Sequence, residues 1–312
     1  MVEAEIRPLD LDRPGEAESV AALMGWMFRR TLTAEELIRR TRDFPSDRPA
    51  IRLVAAVDGT PVGYGRACYW GDNTTAFTVL VGVEQAFRNR GIGSLLLEEA
   101  EKFGTAHGAK TFAAGLVDDK AAVNFVLKRG YVETGREQRS QVDLASARLN
   151  SPVEFPGYEI TSFDKLDSSN RDDLLFECVL ESEKDIPNVE AFGLSERVGY
   201  EAMVLRNPNF LHACCSVALK DGRIVGMSTL MSANTGDLTV LETDYTGVVP
   251  GHRRLGLATE LKARSLKAAQ VIGANKVFTQ NSFENPGILK VNRRVGFVPV
   301  YEMVEVLKEV GT

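Results

Sequence analysis

The sequence predicts an α/β (α+β) fold built as two tandem domains, each a mixed, mostly antiparallel sheet flanked by helices. Three landmarks predict it, and each occurs twice in the same order. A hairpin turned by Asp58-Gly59 recurs at Asp221-Gly222, so that VAAVDGTPVGYG (54–65) matches VALKDGRIVGMS (217–228). A strand running through an arginine- and glycine-containing corner into a helix recurs as well, with Arg88, Gly91 and Gly93 each 165 residues ahead of Arg253, Gly256 and Ala258. A short helix ending in glycine-aromatic, Gly130-Tyr131, is matched by Gly296-Phe297. Self-similarity at a nearly constant offset is the signature of a repeated unit.

Each copy opens with a strand (6–9; 158–163) and a helical stretch. The hairpin follows, because Asp-Gly supplies the two positive φ angles that a tight two-residue turn needs. The next strand (77–83; 238–249) is rich in β-branched residues and leads into the corner. The helix after it carries an apolar stripe at 3.6-residue spacing: Ile92, Leu95, Leu96, Ala100 and Phe103 in the first copy, and Leu257, Leu261, Ser265, Ala268 and Ile272 in the second. Gly108 and Gly273 are placed to cap these helices at their C-termini. A further strand (111–117; 276–280), a short helix (121–128; 286–294) and closing strands complete each copy. Asn150, Ser151, Pro152 and Pro156 break the pattern, which places a boundary between a domain spanning 1–149 and one spanning 157–312.

Composition limits the function classes. A chain of 312 residues is long enough for two cores, with 44% hydrophobic and 26% charged residues. The net charge of −6 argues against a nucleic-acid partner. The four cysteines, Cys68, Cys178, Cys214 and Cys215, form no CxxC pair and read as buried small residues in a reducing compartment. His107, His212 and His252 are scattered without metal-ligand spacing, so no metal is expected. No transmembrane-length apolar run or signal-type N-terminus is present, and a cytoplasmic protein with no membrane partner is expected. Trp26 and Trp70 read as core residues, and the acidic run Glu177, Glu181, Glu183, Asp185, Glu190, Glu196 and Glu201 as a solvated helix face able to steer an amine.

The corner has a physical purpose. A helix N-terminus carries unpaired N–H groups and a partial positive charge. Gly91 and Gly93, or Gly256 and Ala258, remove bulk there, so a phosphate can approach the backbone, while Arg88 and Arg90, or Arg253 and Arg254, add charge at the rim. No GK[ST] follows, and hairpins precede the corner, which excludes a Walker loop and a dinucleotide-binding crossover. R-x-x-G-x-G/A after a valine-rich strand resembles the acetyl-CoA pyrophosphate loop of the GNAT superfamily of N-acetyltransferases, and the doubled layout is similar to its tandem, mycothiol synthase-like members.

That resemblance implies coenzyme A sites at Val81, Val83, Arg88, Asn89, Arg90, Gly91, Ile92 and Gly93, with Asn124 nearby. In the second copy it implies Val248, Val249, Arg253, Arg254, Leu255, Gly256, Leu257 and Ala258, with Asn281 and Asn285 along the groove. It also places a general base on the strand eleven residues before the loop, which is Glu242 in the second copy and Phe77 in the first. Asp244 lies two residues on, a spacing that puts both carboxylates on one strand face and raises one pKa, unless a β-bulge intervenes. The usual acid, a tyrosine, is replaced by Val126 and Asn292, with Tyr245 a further candidate. The expectation is an acetyl-CoA-dependent transferase acting on a small-molecule primary amine. Its C-terminal copy would catalyse and its N-terminal copy would be structural or bind cofactor without turnover, in a monomer or homodimer. The alternative is a non-catalytic acyl-CoA-binding regulatory protein.

Overall fold

A computed structural model describes residues 4–69, 74–147, 149, 153–166, 169–184 and 197–311. Trp70, Asp185, Glu190 and Glu196 lie outside the described residues. The chain forms two compact units, Met1–Arg136 with Met303–Thr312, and Glu137–Glu302. In chain order the first half gives β1 (Glu5–Pro8), α1 (Glu16–Met27), α2 (Ala34–Arg42), β2 (Ala50–Val57), β3 (Thr60–Tyr69), β4 (Ala76–Val83), α3 (Ile92–Ala106), β5 (Thr111–Val117), α4 (Lys120–Leu127) and β6 (Val132–Asp143). The second half gives β7 (Glu159–Ser162), α5 (Arg171–Glu183), a short helical turn (Arg197–Tyr200), β8 (Ser216–Lys220), β9 (Arg223–Asn234), β10 (Asp237–Val248), α6 (Leu257–Val271), β11 (Lys276–Ser282), α7 (Pro286–Arg294) and β12 (Val298–Glu309).

The sheet order in the first unit is β1-β2-β3-β4-β5-β12, and in the second it is β6-β11-β10-β9-β8-β7. Every observed pairing within these sheets is antiparallel except β4 with β5 and β10 with β11. Asp58 and Gly59 (φ 50° and 77°) and Asp221 and Gly222 (49° and 77°) turn the hairpins, two successive left-handed residues that match the twist of the flanking strands.

The parallel pairs shape the sites. β4 meets β5 at Ala76–Thr78, and β10 meets β11 at Val240–Glu242; beyond these residues no pairing continues and the strands part. A wedge therefore opens in each unit beside the corner.

α3 buries Ile92, Leu96, Leu97, Ala100 and Gly104 against the sheet, and Leu97 rather than Leu95 faces inward, Leu95 being exposed. A Cβ on Gly104 would stand 2.5 Å from the Phe112 ring, so helix and strand meet closely there. α6 buries Leu257, Leu261, Ser265, Leu266 and Ala269, together with Lys262, which the apolar stripe did not include. Both helices end as expected. The amide of Ala109 reaches Gly104 O and that of Gly108 reaches Thr105 O, and Ala274 and Gly273 repeat this with Ala269 and Gln270. This double bond pattern requires the left-handed φ of Gly108 (85°) and Gly273 (90°).

The units are drawn differently from a cut at 149–157. Met303–Glu309 of β12 pairs with β5 of the first unit, and Glu137–Asp143 of β6 pairs with β11 of the second. Val304 and Val306 are buried with Phe77, Phe112 and Tyr131, and Val142 with Leu241 and Val277. Each half of the sequence thus supplies the last strand of the other half's sheet. Val304→Ala is expected to cost about 2 kcal/mol in urea unfolding. The added hydrogen exchange should fall in residues 76–117 rather than in β8 to β10.

Candidate active site

The two corners adopt one backbone shape. After a 3₁₀ turn (Gln85–Phe87; Pro250–His252), Arg88 and Arg253 are extended, Asn89 (φ 60°) and Arg254 (φ 65°) are left-handed, and so are the N-cap glycines Gly91 (86°) and Gly256 (96°). Asparagine tolerates that region; for Arg254 it is uncommon. No side chain caps either helix, and among the described residues the amides of 89–93 and of 254–258 have no protein partner. Five successive free N–H groups at the positive end of a helix form an anion cradle of the kind a diphosphate fills. Nothing approaches Gly91, while the Phe155 ring lies 3.8 Å from a Cβ placed on Gly256, an ordinary contact on that face.

The arginines at the start of each corner act from behind it. Arg88 Nε donates to Val83 O (3.0 Å), and Arg253 Nε donates to Val248 O (2.8 Å) with its Nη2 on Ser182 O (3.1 Å). They were expected as rim charges; they brace the turn. Arg90 lies over the Phe87 ring at 5.4 Å.

In the first unit the wedge is a cleft of about 1100 Å³, lined by Val81, Val83, Gly91, Gly93, Gly115 and Phe125 among others. Trp26 stands on its wall half exposed, with the Arg88 guanidinium 4.4 Å from the ring, and is not the core residue expected. Asn124 lies on the exposed side of α4 and does not line the cleft, and the Ile92 side chain belongs to the core. Phe77 is fully buried and Val126 lines the cavity. Among the described residues the one lining carboxylate, Asp119, caps α4 by accepting from the amides of Ala121 and Ala122, and the lining Tyr131 hydroxyl donates to Glu101 (2.8 Å).

The second unit is polar where the first is apolar. Glu242 lies at the end of the parallel pairing and accepts from Arg139 Nη2, whose guanidinium also covers the Phe278 ring at 4.9 Å. This carboxylate is held in an ion pair and is not a free acceptor. One residue on, the β9–β10 register slips: Thr243 pairs with Leu230 and Tyr245 with Thr229, leaving Asp244 unpaired in a bulge. Its Oδ2 accepts from Thr229 Oγ1 at 3.0 Å. Asp244 keeps open surface, yet desolvation by the protein around it pushes its carboxyl up to about 6 against the Thr229 hydrogen bond.

Opposite it, the last turn of α5 packs on β10, with Ser182 Oγ and Tyr245 Oη 2.9 Å apart. The next residue, Glu183, is pushed up to about 7 by burial and by the charge of Asp244. Sequence reading had placed Glu183 on a solvated face; Glu177 and Glu181, which bracket Arg223, and Glu201, paired with Arg197 and Arg206, do match that expectation. Burial raises the thiols of Cys178 (to about 12) and Cys214 (to about 11), and Cys215 still further, which suits inert core residues.

Other candidates are occupied by one another. Asn292, almost fully buried, donates to Asn281 Oδ1 (2.7 Å), which also accepts from Thr279 Oγ1 (3.2 Å), and Lys262 Nζ lies 3.5 Å from that hydroxyl. Asn285 caps α7 through the Ile288 amide. Val248 O receives Arg253, and the Val249 amide donates to Val225 O (3.0 Å). Leu255 is exposed at the corner, and Leu257 points into the core. Tyr200, Thr229 and Lys262 are the residues that spacing alone did not single out. The bond of Thr229 to Asp244 depends on the bulge, which no local sequence signal marks.

The profile of the acetyltransferase (GNAT) family matches residues 18–131 and again residues 179–297. The chain belongs to this family. No curated protein matches it in sequence. A tandem GNAT protein from the clavulanic acid biosynthesis pathway, solved without acetyl-CoA, shares the fold over 99% of both chains, with 20% identity and a TM-score of 0.78. A GCN5-related N-acetyltransferase from Sphaerobacter thermophilus aligns over 98% of this chain and 95% of its own, with 18% identity and a TM-score of 0.76. A glucosamine N-acetyltransferase region of a fungal multi-domain β-N-acetylglucosaminidase covers 98% of this GNAT chain and 38% of its own, with 14% identity and a TM-score of 0.72. These likenesses establish a tandem GNAT fold for both units.

Burial drives the Lys262 ammonium down to about 7. Its folded value lies below its unfolded one, so the unfolded chain binds the extra proton and stability contributed here rises with pH between about 7 and 10. Lys262→Met should remove that rise, as read from thermal unfolding midpoints at pH 7, 8.5 and 10.

Proposed function

We propose that this GNAT protein transfers an acetyl group from acetyl-CoA to a small-molecule primary amine in its second unit, with Asp244 as general base. The observation that carries this reading is the β-bulge: it leaves Asp244 unpaired beside the parting of β10 and β11, with a raised pKa. A base poised near neutrality is what removal of an ammonium proton requires. Glu242, one register earlier, is read as a strut, its carboxylate tied to Arg139.

The free amides of 254–258 would hold the diphosphate of coenzyme A, with Arg253 keeping the corner in shape from Val248 and Ser182. Bound acetyl-CoA supplies an activated acyl group as a thioester. The acceptor ammonium gives one proton to Asp244 and its nitrogen bonds to the acyl carbon. As the carbon–sulfur bond breaks, the nitrogen loses a second proton, which the leaving sulfur takes up through water. Asp244 returns the first proton to solvent, so one proton is released per transfer. Asn292, hydrogen-bonded to Asn281, and Tyr245, bonded to Ser182, are not assigned the acid.

The first unit supports a different use of the same fold. Its cleft of about 1100 Å³ has a free anion cradle and walls of apolar and arginine side chains, and among the described residues its only carboxylate is a helix cap. We read it as a site that retains coenzyme A or its acyl ester without turnover.

Asp244→Asn should lower kcat by about 10²–10⁴ and abolish the rise of activity with pH near 6, with coenzyme A affinity kept, in thiol-release assays over a panel of primary amines. Because Asp244 and Glu183 both have folded values above their unfolded ones, their ionisation costs stability that is regained at low pH. Asp244→Asn should therefore also raise the unfolding temperature at pH 8. A smaller kcat loss than that of Glu242→Gln would move the base to Glu242.

Calorimetry is expected to count two coenzyme A sites per chain. Replacing Gly91 by valine should remove one and leave turnover, while Gly256→Val removes the other together with turnover. A single site that survives Gly91→Val would refute binding in the first unit.

A further inference from the structure

The base assignment leaves a second carboxylate unexplained. Glu183 ends α5, where the helix carbonyls add negative potential, and among the described residues neither Glu183 nor Asp244 has an ion-pair partner. Arg253, which reaches the end of α5, is turned to Val248 O and Ser182 O. Two carboxylates pressed together without a counter-charge are costly, and each resists ionisation of the other.

An independent feature points into the same place. Tyr200 is 4% exposed, its ring is packed against Phe176 at 5.1 Å, and among the described residues its hydroxyl has no hydrogen-bond partner. That hydroxyl lies within electrostatic reach of both Asp244 and Glu183. A buried, unpaired hydroxyl in a native protein calls for a partner. The charged groups within reach of it are both carboxylates, so a ligand bearing N–H donors suits it. The fold does not require this polarity. The helix side chain above Gly82 in the first unit is Met27, and above Gly247 in the second it is Ser182. The residues that follow are Phe28 and Glu183, and the strand position matching Asp244 is Val79.

We infer that the acceptor of the second unit is a dication, with one amine delivered to Asp244 and a second ammonium held by Glu183 and the Tyr200 hydroxyl. A single ammonium lets one carboxylate ionise and leaves the other to hold a proton, whereas two ammonium groups let both ionise. The inference rests on the catalytic reading above, and adds to it the charge of the substrate.

The test compares 1,4-diaminobutane with n-butylamine, and 1,5-diaminopentane with n-pentylamine, on the full chain with acetyl-CoA. In each pair kcat/KM is expected to be about 30-fold higher for the diamine. Glu183→Gln should shrink that ratio to about threefold, mainly through KM, and Tyr200→Phe should raise KM for the diamine. Equal kcat/KM values within a pair overturn the dication and leave Asp244 as base. If none of the four amines is acetylated, the catalytic reading fails for this class. The dication is then judged by calorimetry: tighter binding of the diamine, lost in Glu183→Gln, upholds it, and equal or absent binding of diamine and monoamine overturns it.

Discussion

Both sites depend on the fact that two parallel strands pair over only three residues and then separate. While β4 and β5, or β10 and β11, are paired, the sheet is closed. Once they part, it has a gap flanked by a helix N-terminus. The gap persists because the corner before that helix fixes two left-handed residues in each unit, Asn89 and Gly91 or Arg254 and Gly256, and an arginine ties the corner to the preceding strand. The free amides and the gap beside them are consequences of one geometric choice, made twice.

What differs is what fills the wedge. In the first unit Phe77, Val79, Leu97 and Val126 keep it apolar, and a large cleft remains. In the second, Glu242, Asp244, Lys262 and Asn292 stand at the matching positions and bring charge and buried hydrogen bonds. Buried polar groups of this kind lower stability unless fully paired. Asp244, Glu183 and Lys262 are all shifted away from their charged forms, so the second unit carries buried ionisable groups that cost it stability.

Much of this was legible in the sequence, for physical reasons. The Asp-Gly turns, the glycine C-caps and the corner all require special φ angles, and few residue types supply them, so the letters report the backbone directly. Elements built from such signals were placed within one or two residues. Positions that depend on register were not legible. An alternation rule sets Glu242 and Asp244 as equals, whereas the bulge separates a paired carboxylate from a free one. Lys262 is hidden in an amphipathic helix, because a lysine there normally reaches water. Trp26 was expected in the core since large aromatics usually lie there, yet it walls a cleft. The exchange of β6 and β12 left no local trace either, since a strand's sequence does not say which neighbour it joins.

That exchange has a consequence for how the protein comes into being. The strand that pairs with β5 is made after every strand of the second sheet, so β5 must wait beside an unfilled edge until β12 has been synthesised. Separately expressed halves would each lack a strand held by the other. Gene fragments cut at the repeat boundary should therefore behave as complementary pieces rather than as autonomous enzymes.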